Sequence, residues 1–289
     1  MLFIGCICII SASFGAIIGK WLAGKKITAA NAINNYQREV YVIVSAIVVI
    51  FSALFLINSL KLNDSIFNII LIYVAEYINY LVLALGCFSL GLLVLLEWEG
   101  RRDRQRLREM LIAVFTIMLA ISIIIHYSLP VNALVGNPKI ADGIVLQTTR
   151  YTCAPASIAT LANLMGIQPP LTEKDVVAMT NTNKFGTSVL AEIRTMEKLG
   201  MSPQYKRGLN ITDLINNNKL AILHVNEPIR GKKMNHAIAL LGINPNEQTV
   251  TVGNPIYGIQ IKTFEEMEDY WTGDAVFVNH SRNNRIFDQ

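Results

Sequence analysis

Four apolar stretches dominate the first half of the chain: Leu2 to Ile18, Val40 to Leu60, a run within Ile66 to Leu96, and Leu111 to Leu129. A helix rises about 1.5 Å per residue and the hydrocarbon core of a bilayer is about 30 Å thick, so about 20 apolar residues make one crossing. The third stretch exceeds one span but is too short for two spans and a turn. Glu76 would be costly in lipid, so residues 66–75 are expected along the interface and the crossing proper at 77–96. The expected spans are therefore 2–18, 40–60, 77–96 and 111–129. Trp21, Tyr41, Trp98 and Tyr127 fall at their ends, as interfacial aromatics do. No basic residue precedes the first apolar core, and Lys20, Lys25 and Lys26 follow it at once, which reads as a retained span rather than a signal peptide.

From Val131 onward the pattern changes to that of a globular domain. Its periodicity predicts helices over Cys153 to Met165, 172–180, 187–199 and 211–218, followed by a strand-rich stretch. Strands are expected at Ala221 to Val225, His236 to Ile243, Thr249 to Gly253, Ile259 to Lys262 and Ala275 to Val278. Asn244, Pro245 and Asn246 signal a turn, so the strands flanking it should form a hairpin. Helices followed by antiparallel sheet define an α+β fold. The boundary falls near Pro130, giving a transmembrane region of about four helices at 1–130 and a soluble domain at 131–289. That domain is long enough to bury its own core without disulfides or metals.

Charge refines this division. The chain is 52% hydrophobic and 16% charged, with a net charge of +4. Lys20, Lys25, Lys26 and Arg38 stand without an acid between 20 and 38, and residues 97–109 hold five Arg against four acids. Together the two segments carry +5 of charge, which leaves the remaining residues close to neutral. A soluble domain without a basic stripe argues against nucleic acid as a partner. Both basic loops should be cytoplasmic by the positive-inside tendency, and with four crossings the soluble domain lies on the non-cytoplasmic side. A fifth span would reverse that assignment. Cys6, Cys8 and Cys87 sit in apolar runs as small hydrophobes, so the soluble half has one cysteine, Cys153, and no internal disulfide.

Cys153 lies in the segment Gln147 to Ser157, QTTRYTCAPAS, where a polar approach turns into a helix. Thr152 is expected to cap that helix, Pro155 suits its first turn, and Ala154, Ala156 and Ala159 keep it slim. The helix terminus offers free N–H groups and the positive end of a dipole, which favour thiolate over thiol. A thiol nucleophile also needs a base and a group to orient that base. Among the four histidines, His126 falls at a membrane boundary, His224 within a buried-looking strand and His280 in a polar tail, leaving His236 at the mouth of a strand. The hairpin returns the chain to Asn254 and Pro255 near the same sheet edge, where Asn254 could orient the ring. Gln147, six residues before Cys153, could supply an amide to an oxyanion beside the Cys153 N–H. Each residue alone has a plainer reading: a helix-packing Cys, a core His, a turn Asn, a surface Gln. Jointly they are far more specific. No HExxH or CxxC occurs, so no metal or cofactor is expected. Asn210-Ile211-Thr212 matches a glycosylation sequon but equally opens the helix at 211.

The Gln147 to Cys153 spacing, the small residues after the Cys, the helix ending in Met165-Gly166-Ile167, the His236-led strand and the Asn254-Pro255 turn resemble the C39 peptidase family of papain-like cysteine proteases. The resemblance covers about 140–280 and implies Cys153 as nucleophile, His236 as general base and acid, Asn254 as orienting residue and Gln147 in the oxyanion hole. It implies a peptide or protein substrate. Two departures are Ala154 and Asn254-Pro255, where the family commonly has Gly and Asp-Pro. No Walker-type GxxxxGK[ST] is present, so a transporter partner would be a separate protein beside the lipid bilayer. Two alternatives keep the fold: a catalytically weak or inactive peptide-binding module associated with a transporter, and an acyl transferase using the same thiol.

Overall fold

The computed structural model describes residues 2–25 and 27, isolated positions between 38 and 52, and residues 65–100 and 104–279. The chain separates into two compact units, one made of 1–60 and 74–129, the other of 61–73 and 130–289.

Helix α1 spans Leu2–Gly24, α2 Ser65–Gly100 and α3 Arg104–Ser128; all three belong to the first unit except residues 65–73 of α2. Among the described residues, three helices are long and apolar enough to cross a membrane, at Phe3–Gly24, Ile72–Leu95 and Leu111–Ser128. The span expected at 40–60 lies largely outside the described residues. α2 runs unbroken through Glu76, and its apolar window opens at Ile72 rather than near Tyr77. Small residues let α1 and α2 approach backbone to backbone: a Cβ on Gly15 would strike the Phe88 carbonyl, and one on Gly91 the Ala12 carbonyl. Such close approach is how apolar helices associate where burial from water supplies no driving force.

The second unit is α+β. A short hairpin, β1 (Lys139–Ala141) and β2 (Ile144–Leu146), precedes α4 (Cys153–Leu164), α5 (Glu173–Thr180), α6 (Val189–Lys198), β3 (Gln204–Lys206) and α7 (Ile211–Asn217). Then follow β4 (Ala221–Ile229), β5 (Lys232–Asn244), β6 (Thr249–Asn254), β7 (Gly258–Thr263), α8 (Phe264–Tyr270) and β8 (Trp271–Phe277). The main sheet has six antiparallel strands in the order β3-β8-β4-β5-β6-β7. The hairpin expected around Pro245 is β5–β6.

Period-two alternation assigns the sheet residues to two cores. Ile222, Ala237, Ala239 and Val276 pack with Ala156, Ile158, Ala159 and Leu161 of α4. Leu223, Val225, Ile238, Leu240 and Phe277 pack with Leu214 of α7 and with Met267 and Tyr270 of α8. Local sequence sets the helix starts: Thr172 with Asp175, Asn210 with Asp213, and Thr263 with Glu266 form reciprocal capping boxes. Asn210 is thus engaged as a cap.

The largest departure from the expected strands is at β5, which begins at Lys232. β4 and β5 turn over Arg230 and Gly231, both at positive φ (50° and 75°), the conformation of a tight two-residue hairpin. His236 consequently lies inside a strand, opposite Val225, rather than at its mouth.

Candidate active site

The segment leading to Cys153 is held along its length. Val145 N–H donates to Thr160 Oγ1 (2.9 Å), tying β2 to α4, and Gln147 N–H donates to the Pro255 carbonyl (2.8 Å), tying it to the turn after β6. Between them stands Glu173, only 1% exposed. Its carboxylate accepts the Thr148 N–H (2.9 Å), the Thr148 hydroxyl (2.8 Å) and the Thr152 hydroxyl. Thr152 does not cap α4: its hydroxyl is turned to donate to Glu173, an orientation in which its oxygen accepts no N–H of the first turn.

Cys153 opens α4 and keeps partial exposure. Three backbone N–H groups bear on its ionisation, those of Ala237, Ala154 and Cys153 itself. These donors favour the thiolate, as expected for a helix terminus, but they do not prevail. Burial is the larger influence, the Glu192 carboxylate adds to it, and the thiol is pushed up to about 11. At neutral pH the group is a thiol.

The Ala237 contact shows how α4 meets β5. The β5–β6 ladder begins only at Ala239, opposite Gly253, so the edge of β5 at 236–237 is open toward β6. There Ser157 Oγ, one turn along α4, donates to the Ala237 carbonyl (3.1 Å), and the Ala237 N–H is the first of the backbone donors that favour the Cys153 thiolate. Alternation directs His236 toward the α8 core, whereas Cys153 packs on the α4 side.

His236 is 6% exposed and Asn254 fully buried. Nε2 of His236 lies 3.1 Å from Asn254 Oδ1, which also accepts the Ile256 N–H at 2.9 Å. Asn254 Nδ2 donates to Glu227 Oε2 at 2.8 Å and to Gln260 Oε1 at 3.2 Å. A backbone donor on one side and a carboxylate on the other fix which end of the amide is oxygen, so Nε2 must carry the proton and Nδ1 is the basic nitrogen. Burial holds the His236 pKa below its usual range, partly offset by the Asn254 hydrogen bond and the Glu227 charge.

Gln147 is nearby through its backbone, but its side-chain Nε2 donates to Thr149 O (2.8 Å), and Oε1 is buried with no partner among the described residues. His224 belongs to another arrangement, with Nε2 3.0 Å from Glu192 Oε2. His126 is in α3, and His280 is outside the described residues.

Glu173, Glu227 and Tyr270 did not emerge from sequence. Glu227 Oε2 accepts the Tyr270 hydroxyl as well as Asn254 Nδ2. An acid within a β-rich run, such as Glu227 after Val225, was the one available signal, since burial there demands a partner.

A thiol at the start of a helix that packs on an antiparallel sheet, with an imidazole–amide pair on neighbouring strands of that sheet, is the layout of a papain-like fold. Residues 142–283 match the family model of the peptidase C39 family, whose members are generally cysteine peptidases, and this part of the chain belongs to that family. Solved structures similar to it include the peptidase domain of Streptococcus ComA, a bi-functional ABC transporter involved in a quorum-sensing pathway (25% identity, 46% of this chain and 94% of that one, TM-score 0.40). A double glycine motif protease from an AMS/PCAT transporter, in complex with the leader peptide, aligns at 17% identity over 50% of this chain and 92% of that one (TM-score 0.41). The N-terminal peptidase C39-like domain of a toxin secretion ATP-binding protein from Vibrio parahaemolyticus aligns at 14% identity over 46% and 99% (TM-score 0.36). No curated protein matches.

Proposed function

We propose that this chain is a membrane-anchored cysteine peptidase that hydrolyses peptide bonds of a peptide or protein substrate through Cys153, His236 and Asn254. The observation that carries the reading is the bond between His236 Nε2 and Asn254 Oδ1 at 3.1 Å, next to Ala237, the strand residue on which the Cys153 helix is seated through the Ser157 hydroxyl.

With the thiol raised and the imidazole lowered, the resting pair is neutral. His236 Nδ1 accepts the thiol proton as sulfur attacks the substrate carbonyl carbon, and the oxyanion takes hydrogen bonds from the Cys153 N–H and the Gln147 side-chain amide. Collapse breaks the C–N bond, and the leaving amine takes the proton from His236. Water, deprotonated by His236, then attacks the thioester; the acid leaves and the proton returns to sulfur. The Gln147 role requires one of its two amide hydrogens, the other being held by Thr149 O.

Residues 1–130 would anchor the catalytic domain, 131–289, in the bilayer. Four crossings, counting 40–60, put that domain on the non-cytoplasmic side, where a separate transporter is a candidate partner. Reporter fusions at 62, 104 and 289 test the sidedness: a cytoplasmic signal at 289 overturns it.

Catalysis is tested on the full chain in nanodiscs with a thiol-directed peptidyl electrophile and with peptide mixtures read by mass spectrometry. Labelling should fall on Cys153, and Cys153→Ala or His236→Ala should lower turnover by about 10³-fold or more. Wild-type protein that is folded yet neither labels nor cleaves would favour the non-catalytic, peptide-binding reading.

A further inference from the structure

The amide of Asn254 is neutral, yet it holds the imidazole that must become cationic when it takes the thiol proton. In a buried site a forming cation without a counter-charge is costly. The nearest acid is one amide further on. Glu227, on β4 and 4% exposed, accepts Asn254 Nδ2 at 2.8 Å and the Tyr270 hydroxyl on the same oxygen, Oε2. Two donors converging on one oxygen is the arrangement an ionised carboxylate stabilises. Asn254 thus stands between Glu227 and His236, donating to one through Nδ2 and accepting from the other through Oδ1.

We propose that Glu227 is a positioning residue for the reaction, acting through Asn254 to orient His236 and to supply the negative charge that stabilises its protonated form. The proposal rests on the peptidase reading above and deepens it. No proton moves to Glu227: the thiol proton stops at His236 Nδ1, and the Asn254 amide transmits orientation and field only. Tyr270, on α8, holds the carboxylate in place, its own hydroxyl kept protonated by burial and by the Glu227 bond. The titratable or charged groups around this line are Cys153 from α4, Glu227 from β4, Tyr257 from the β6–β7 turn, Tyr270 from α8, and Lys262 from β7, whose ammonium lies 4.3 Å from the Tyr270 ring centre.

The charge can be removed, or moved one residue. Glu227→Gln removes it at nearly constant volume; Asn254→Asp in that background moves it directly onto His236. Full chain in nanodiscs would be alkylated with iodoacetamide across pH 5 to 10, with modification at Cys153 quantified by peptide mass spectrometry, and kcat/KM measured on a peptide that wild type cleaves. Glu227→Gln should slow Cys153 alkylation at pH 7 about tenfold and lower kcat by a similar factor with little change in KM, the gap closing as pH rises and thiolate forms without an imidazolium. The double variant should recover to within about threefold of wild type. Asn254→Asp alone should be slower than wild type, because two carboxylates then face each other and one takes up a proton. That single variant decides the matter even if Glu227→Gln does not fold: a rate equal to or above wild type would mean no charge stands behind Asn254. Likewise, a Glu227→Gln profile that overlays wild type, or a double variant no better than Glu227→Gln, overturns the proposal. Failure of the peptidase reading looks different, since His236→Ala would then leave the Cys153 alkylation profile unchanged.

Discussion

The two histidines of β4 and β5 are both sheltered and both face an acid, yet they are tuned in opposite directions. His224, on the α6 side, meets Glu192 directly at 3.0 Å. Burial works against its charge, but the Glu192 carboxylate, by charge and by hydrogen bond, with help from Asp274, outweighs it, so the pKa rises. His236, on the α8 side, meets its acid through an interposed amide, and there burial prevails and the pKa falls. An acid in contact favours the protonated ring. An acid one amide away orients the ring and leaves it neutral, able to accept a proton.

Removing one member of each pair gives the largest expected contrast. Asn254→Ala should lower kcat/KM by about 10²-fold, because His236 loses its tautomer and tilt. His224→Ala should leave kcat/KM within a few-fold and instead cost about 3 kcal/mol of stability, since Glu192, 2% exposed, is then a buried charge without its partner. Peptide turnover and thermal unfolding of the same preparations read both axes. Equal activity losses in the two variants would erase the distinction.

The same comparison predicts opposite pH dependences of stability. His224 has a raised folded-state pKa, so its contribution is complete below about pH 6.5 and is lost as pH climbs through the folded value. His236 has a lowered one; the folded state binds fewer protons than the unfolded state, and its contribution is complete above about 6.5 and lost as pH falls toward the folded value. Relative to wild type, His224→Gln should therefore be more destabilised at pH 5.5 than at pH 8, and His236→Gln more destabilised at pH 8 than at pH 5.5, in thermal melts of the full chain.

What could be read in advance follows from distance along the chain. Apolar periodicity marked α4, α5, α6 and α7 because each buries apolar residues in one of the two cores that flank the sheet, and Cys153, His236 and Asn254 stood out through local context. The groups behind them did not. Glu227 and Tyr270 reach Asn254 from 27 and 16 residues away, a juxtaposition only the sheet order creates. α8 was missed because its apolar stripe is only three residues, Phe264, Met267 and Tyr270, set among Glu265, Glu266, Glu268 and Asp269; its clearer signature was the capping box from Thr263 to Glu266. Thr152 looked like a cap until a buried Glu173, 21 residues later, claimed its hydroxyl. The ionisation of Cys153 was misjudged for a comparable reason: a helix terminus is visible locally, whereas desolvation by a folded core is not.

Glu192 links the two regions and yields the smallest effect. Its charge pairs with His224 and at the same time opposes ionisation of Cys153, behind burial as the dominant cause. Glu192→Gln keeps the volume and a hydrogen-bonding oxygen for His224 but removes that repulsion. Alkylation of Cys153 at pH 8 should then quicken by about two- to threefold, a fraction of a pKa unit, because a charge at longer range acts only weakly through the protein. The effect should persist in a His236→Ala background, since it reaches sulfur without passing through the imidazole. If it vanished there, Glu192 would be acting on the base instead, and the two histidine regions would be one coupled network rather than the separate settings their opposite pKa shifts indicate.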